Sequence, residues 1–149
     1  MLVYRIALTK YANGLKASSR AARWNPNEVE MIYTSSSRSL ACLENVVHRS
    51  QLGLNQLFSV ITIQLDERIQ KETIQLNGLP EDWREFYQMP FTQAIGEKWI
   101  RENRSAVLEV PSSIVEEEVN CLLNPLHDDF KLIQLIKNEL FVFDRRIKL

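Results

Sequence analysis

Apolar residues along this chain fall mostly into short alternating runs and only twice into a helical period. "LVYRIAL" at residues 2–8 is rich in side chains that suit a pleated sheet and predicts a first strand. The polar stretch from Thr9 to Asn27 has Asn13-Gly14 as its turn signal. It is long for a structureless loop, so it is a candidate functional loop with room for a helical turn. "VEMIYT" predicts a second strand ending near Tyr33. Ser35, Ser36 and Ser37 then offer N-caps, because a serine oxygen accepts the unpaired N–H groups of a first helical turn. In the helix they open, Leu40, Leu43 and Val47 form the expected apolar stripe. Glu44 lies roughly 40° from Leu40 at ~100° per residue, so it flanks the stripe instead of opposing it.

"LFSVITIQL" predicts a strand with Ile61, Ile63 and Leu65 on one face, and "TIQLNGLPEDW" a short strand and a turn through Asn77, Gly78 and Pro80. Phe91 and Thr92 open a second helix, with Ile95 and Trp99 one turn apart and Thr92 as its cap. "SAVLEVPSSIV" is a strand that Pro111 ends, since proline cannot donate to a ladder. "NCLLNPLHDDF" is expected to be a loop, with Pro125 disfavouring helix through Asn124. "KLIQLI" and "LFVFD" give two last strands. The order β-loop-β-α-β-β-α-β-loop-β-β describes one α+β domain over residues 1–149.

At 149 residues the chain can bury one core without metals or disulfides. Its 45% apolar and 25% charged fractions are those of a globular protein, and no apolar run approaches the ~20 residues of a bilayer crossing. The N-terminal segment lacks a secretory pattern, so a cytoplasmic location is expected. Eighteen Lys and Arg against 19 Asp and Glu, a net charge of -1, argue against direct binding of nucleic acid, although "DRRIKL" is locally basic. Cys42 and Cys121 lack CxxC spacing and are expected to be buried thiols in a reducing compartment.

The four glycines form neither GxGxxG nor a P-loop, which removes the commonest nucleotide-binding folds. His48 and His127 have no partners at metal spacing, so no metal is expected, and His127 suits a hydrogen bond within its loop. Four residues carry candidate chemistry. Arg23, between alanines and Trp24, can offer two parallel hydrogen bonds to a phosphate with Trp24 as a shield, or can pack on Trp24 structurally. Tyr33 can present its ring to a flat heterocycle or serve as a core tyrosine. Glu44, a carboxylate edging a buried stripe, requires an ion pair, a solvated cleft or a function. Ser112 follows the strand-ending proline, where its hydroxyl can project from a sheet edge or simply shape a turn.

Taken in order, "YRIA", "ARWN", "IYTSSSRSLACLE", "VLEVPSSIV", "NCLLNPLHDDF" and "FVFDRR" resemble the RES-domain family, toxins of bacterial toxin-antitoxin pairs, from Tyr4 to Arg146. The resemblance implies a fold similar to ADP-ribosyltransferases, two small sheets flanking an NAD cleft with helices packed on them. It implies a type II toxin that consumes NAD as substrate, needs no cofactor, and is neutralised by a cognate Xre-type helix-turn-helix antitoxin; a homodimer is compatible with it. The family's functional residues map to Arg23, Tyr33, Glu44 and Ser112, with Asn120 and Asn124 in a further motif as substrate contacts or loop-shaping residues. The chain departs from the pattern where Ala21 and Ala22 replace glycines, and where Asn27-Glu28 replaces a glycine whose left-handed turn Asn27 is expected to supply.

For that family Arg23 would clamp the pyrophosphate, Tyr33 would stack on nicotinamide, Glu44 would stabilise the oxocarbenium-like ribose, and Ser112 would orient the ribose or Glu44. The acceptor of ADP-ribose, whether water, a protein or phosphate, stays open. So does a non-enzymatic binding module in which Arg23 and Glu44 form an internal ion pair.

Overall fold

The computed structural model describes residues 1–48 and 56–147. Seven strands, β1 (Leu2–Leu8), β2 (Ile32–Ser35), β3 (Phe58–Leu65), β4 (Lys71–Thr73), β5 (Val107–Pro111), β6 (Val119–Leu123) and β7 (Ile133–Phe141), form one sheet in the order β4-β5-β6-β2-β1-β3-β7. Two α-helices among the described residues, α1 (Arg38–His48) and α2 (Met89–Glu102), accompany the sheet, so the α+β class is as expected. The two small sheets implied by the resemblance are lobes of this single sheet. β2 and β1 are in register through one pairing, Tyr4 with Ser35, whereas β1 and β3 pair along their whole length.

Because cross-strand partners share a face, the register decides what each side of the sheet covers. Tyr4, Ser35, Asn120 and Val110 are successive partners across β1, β2, β6 and β5. They therefore project to one side. On that side Trp99 and Ile100 of α2 pack with Trp24, Trp83, Leu108, Val110 and Leu122, and Ala41 of α1 packs with Ile6, Phe58 and Val60. The opposite side buries Val3, Ile32, Ile61, Ile63, Leu65, Cys121 and Leu123 beneath Leu15, Ala17, Phe130 and Leu132. Both helices thus lie on one face, each over its own lobe, and the seam between the lobes runs between them.

Several expectations change in physical detail. The stripe on α1 is phased differently: Leu40 and Ala41 are buried, while Leu43 and Val47 are 44% and 58% exposed. The inward face continues through the half-buried Glu44 and Asn45, so this helix turns polar groups toward the sheet. Ser37 is the residue that caps α1, its Oγ accepting from Leu40 N–H at 3.0 Å. β2 runs two residues past Tyr33. α2 begins at Met89, so Thr92 lies inside the helix and donates its hydroxyl to the Arg23 carbonyl instead of capping. "NCLL" is not loop but β6, held by β2 and β5 on either side. The two final runs join into β7, whose polar centre Lys137-Asn138-Glu139 is tolerated on an edge strand. The basic "DRRIKL" lies partly outside the described residues, at 148 and 149.

The stretch Thr9–Asn27 contains the anticipated helical turn, a 3-10 turn at Thr9–Tyr11. Its later part is pinned to α2: Gln93 Nε2 donates to the Ala22 carbonyl at 2.9 Å, and a Cβ on Gly96 would stand 1.7 Å from the Trp24 carbonyl oxygen. Only glycine at position 96 permits that approach, which seats Arg23 and Trp24 against the helix.

Candidate active site

α1 delivers Glu44 to the seam. Its Oε1 accepts from Ser112 Oγ at 2.8 Å and from Asn120 Nδ2 at 2.6 Å, and its Oε2 lies 3.4 Å from His48 Nε2 one turn along. Burial pushes this carboxyl up, but the hydrogen bonds from His48, Asn120 and Ser112 together outweigh burial and hold it below the usual carboxylate range. A partly buried carboxylate is thereby kept ionised and aimed.

The supports are themselves fixed. Ser112 is buried directly after β5, and its Oγ also accepts from the backbone N–H of Ile114 and Val115, so its rotor is committed to Glu44. Of its two sequence-level roles, orienting the ribose or orienting Glu44, this geometry matches the second. Asn120 takes a hydrogen bond from Ser35 Oγ at 2.8 Å while it donates to Glu44, making a chain from β2 through β6 to α1. Asn120 therefore sits in the site. Asn124 shapes the following loop, donating to Asn103 Oδ1 at 3.0 Å and accepting from Leu126 N–H.

Arg23 approaches from the long loop. Its guanidinium donates to three successive carbonyls, Nη1 to Trp83 and Glu85 at 3.3 Å and Nη2 to Arg84 at 2.9 Å. None of these bonds uses Nε–H, so one edge of the fork remains for a ligand. Burial lowers its pKa, while Tyr33, Glu44 and Glu85 act in the opposite sense. Trp24 does not shield Arg23 from outside; it is buried and packs against Trp83 at 5.9 Å between ring centroids.

Tyr33 projects from β2 on the same face, packed beside the tryptophan cluster. Its hydroxyl accepts from Trp24 N–H at 3.0 Å and donates to Asn25 Oδ1 at 2.5 Å. Burial raises its pKa, with the hydrogen bonds at Trp24 and Asn25 opposing, so it stays neutral. The hydroxyl is thus a latch that fixes the Arg23 loop to the sheet, a role in addition to any the ring has.

Two sequence expectations need correction. Among the described residues no ion pair joins Arg23 to Glu44, because each is engaged by other groups, so the arrangement assumed for the binding module is not formed. The left-handed residue after "RWN" is Glu28, at φ 70°, and not Asn27, whose Oδ1 accepts from Ala21 N–H at 2.9 Å. The sequence did not point to Ser35, which braces Asn120, or to His48, which lies beside the carboxylate. The four-residue spacing of Glu44 and His48 was the available signal for the second. His127 does serve its own loop, its Nδ1 accepting from Asp129 N–H at 3.0 Å. Cys121 is a buried thiol, its pKa pushed up to about 12 chiefly by burial. No described helix is long and apolar enough to cross a membrane.

Comparison with known proteins agrees with the ordered motifs. The family model for the RES domain matches residues 2–144. The chain is 35% identical over 137 residues to the "Prs ADP-ribosylating toxin" of Sphingobium sp. (strain YBL2), covering 91% of this chain and 85% of that one. It is 34% identical over 152 residues to the "Toxin Res" of Photorhabdus laumondii, covering 99% and 97%. Among solved structures, a chain of the M. tuberculosis MbcT-MbcA toxin-antitoxin complex superposes with a TM-score of 0.73 at 17% identity over 94% of this chain and 83% of that one, a likeness of fold. With an ordered set of motifs, a family match over nearly its whole length and relatives aligned end to end, the chain belongs to the RES domain family.

Proposed function

We propose that this chain is the toxin of a toxin-antitoxin pair and acts by cleaving the nicotinamide-ribose bond of NAD, which is substrate and not cofactor. The observation that carries the reading is the Glu44 carboxylate, held by hydrogen bonds from Ser112 and Asn120 with His48 Nε2 3.4 Å from its other oxygen, and kept below the usual carboxylate range. As the C1′–N bond breaks, nicotinamide leaves as a neutral molecule with the bonding pair, and positive charge develops on the ribose. A fixed carboxylate beside the sugar stabilises that charge without reorganising. Water then adds at C1′ and gives up a proton, for which Glu44 Oε2 is the acceptor within reach. Arg23 holds the pyrophosphate on its uncommitted edge, and the ring of Tyr33 borders the nicotinamide.

Transfer of ADP-ribose to a protein uses the same cation and is the second reading, favoured by the name of the Sphingobium relative. An antitoxin of the helix-turn-helix class is the expected partner in a cytoplasmic pair, supplying the DNA contact that a chain of net charge -1 lacks. Expression of this chain alone should drain cellular NAD and arrest growth, and co-expression of its partner should restore both. Steady NAD with normal growth would count against the toxin reading. Purified protein incubated with NAD and then with NAD plus cell extract separates free ADP-ribose from ADP-ribose bound to protein.

A further inference from the structure

Two depressions on the surface, of about 680 Å³ beside Glu28, Arg101 and Leu126 and about 150 Å³ beside Thr73 and Glu118, touch none of the residues around Glu44. The wall of the seam is more informative. The segment Asp82–Gln88 is gripped at one end by Arg23, which takes the carbonyls of Trp83, Arg84 and Glu85. At the other side Arg84 Nε lies 3.6 Å from Glu116 Oε2, in the same short loop whose first residue, Ser112, holds Glu44. The segment therefore spans from the residue assigned to phosphate to the loop behind the catalytic carboxylate.

Its exposed side chains include aromatic ones. Phe86 is 83% exposed and Tyr87 67%, with Phe91 at 42% on the first turn of α2. Single exposed apolar residues are ordinary, but three exposed aromatic residues within six positions, beside carbonyls that Arg23 holds, are more than scattered exposure. The segment is hydrogen-bonded within itself: Asp82 accepts from the Tyr87 hydroxyl and, at 2.9 Å, from Gln88 Nε2, while Gln88 N–H closes onto the Glu85 carbonyl at 3.0 Å. Tyr87 is thus tethered by its hydroxyl, and Phe86 at the tip has a ring free of polar obligations.

We infer that Phe86 is the stacking platform for the adenine base of the dinucleotide. This rests on the NAD reading above and adds a subsite to it. With the nicotinamide ribose at Glu44 and the pyrophosphate on Arg23, the adenosine half continues beyond Arg23, along the segment that Arg23 itself holds. A flat base on an exposed phenyl ring buries apolar area on both partners with no hydrogen bond to satisfy, and such contacts tolerate a shallow, open site. Since stacking on a remote base acts equally in ground and transition states, it belongs in KM and not in kcat.

The test compares wild type, Phe86→Ala and Phe86→Tyr for nicotinamide release from NAD, and measures binding of ADP-ribose by calorimetry. Phe86 is exposed, so its alanine variant should melt with the wild type. The expected result is a KM for NAD raised about 5- to 30-fold in Phe86→Ala with kcat within about twofold, rescue by tyrosine, and a parallel loss of ADP-ribose affinity. An unchanged KM and unchanged ADP-ribose affinity would overturn the assignment. So would an alanine variant that keeps both but loses the antitoxin, which would make the patch a protein-docking surface. If wild type binds ADP-ribose through Phe86 yet releases no nicotinamide, the stacking site stands and the glycohydrolase reading falls.

Discussion

Ser112 and Glu44, 68 residues apart in sequence, are joined by a hydrogen bond of 2.8 Å that closes the seam between the two lobes of the sheet. One comes from the end of β5 and the other from the second turn of α1, so the contact exists only when both lobes are docked. Asn120 makes the second bond to the same oxygen from β6. The carboxylate is the common point of three separate elements, and its chemistry depends on all of them.

Asn120→Ala removes one donor that holds Glu44 below the usual carboxylate range and leaves burial, which acts upward, less opposed. The acid limb of the pH profile for NAD consumption should therefore move to higher pH. The same shift weakens acid stability. A depressed carboxyl contributes stability that is complete above its unfolded pKa and is lost as pH falls through the folded one, and raising the folded pKa shrinks that contribution. Acid unfolding of wild type and variant, followed by circular dichroism beside the pH-rate curve, measures both; coincident curves would show that Asn120 does not set the ionisation of Glu44.

Tyr33→Phe keeps the ring and removes the latch to Trp24 and Asn25. A partly buried backbone N–H and an amide oxygen lose their partner, and the cost should be about 1–3 kcal/mol. Urea denaturation reads it as a lower midpoint with an unchanged slope. A tyrosine used only for its flat face would give equal midpoints.

Arg23→Lys keeps the charge but cannot bridge three carbonyls and a phosphate with one planar group. Intolerance of lysine alone no longer separates a binding role from a structural one, because the structural contact also needs the fork. The two roles divide by readout. Hydrogen exchange of the amides of residues 83–88 reports the grip on the loop, and KM for NAD reports the phosphate clamp. Both should worsen; a looser segment with an unchanged KM would leave Arg23 purely structural.

How far the sequence revealed this site follows from what periodicity measures. Glu44 stood out because it flanked an apparent stripe, although the true inward face is Leu40, Ala41, Glu44 and Asn45. A pattern that equates apolar with inward misplaces a helix whose inward face carries a carboxylate and an amide. Arg23, Tyr33 and Ser112 stand out from their local setting and match family motifs, while their partners are hidden by distance: the carbonyls of residues 83–85, the N–H of Trp24, and Glu44 itself. Asn120 was obscured because "NCLL", next to Asn124-Pro125, has the composition of a loop start, and only pairing with β2 and β5 makes it a strand. The two helices and the strands through β5 were legible in order, whereas β6 was read as loop and β7 as two strands; the seam was not legible, since one pairing between Tyr4 and Ser35 leaves no trace in either segment.

The central claim is that an ionised Glu44 drives cleavage of NAD, and the most direct measurement is nicotinamide release by purified protein carrying Glu44→Gln beside wild type. Glutamine keeps the size and an oxygen for Ser112 and Asn120 but removes the charge that faces the developing cation. The expected result is a folded variant, with wild-type circular dichroism, whose turnover falls at least ~100-fold, roughly 2.7 kcal/mol of transition-state stabilisation. Equal turnover by the two folded proteins would contradict the account, because the carboxylate at the meeting point of α1, β5 and β6 would then have no part in the reaction.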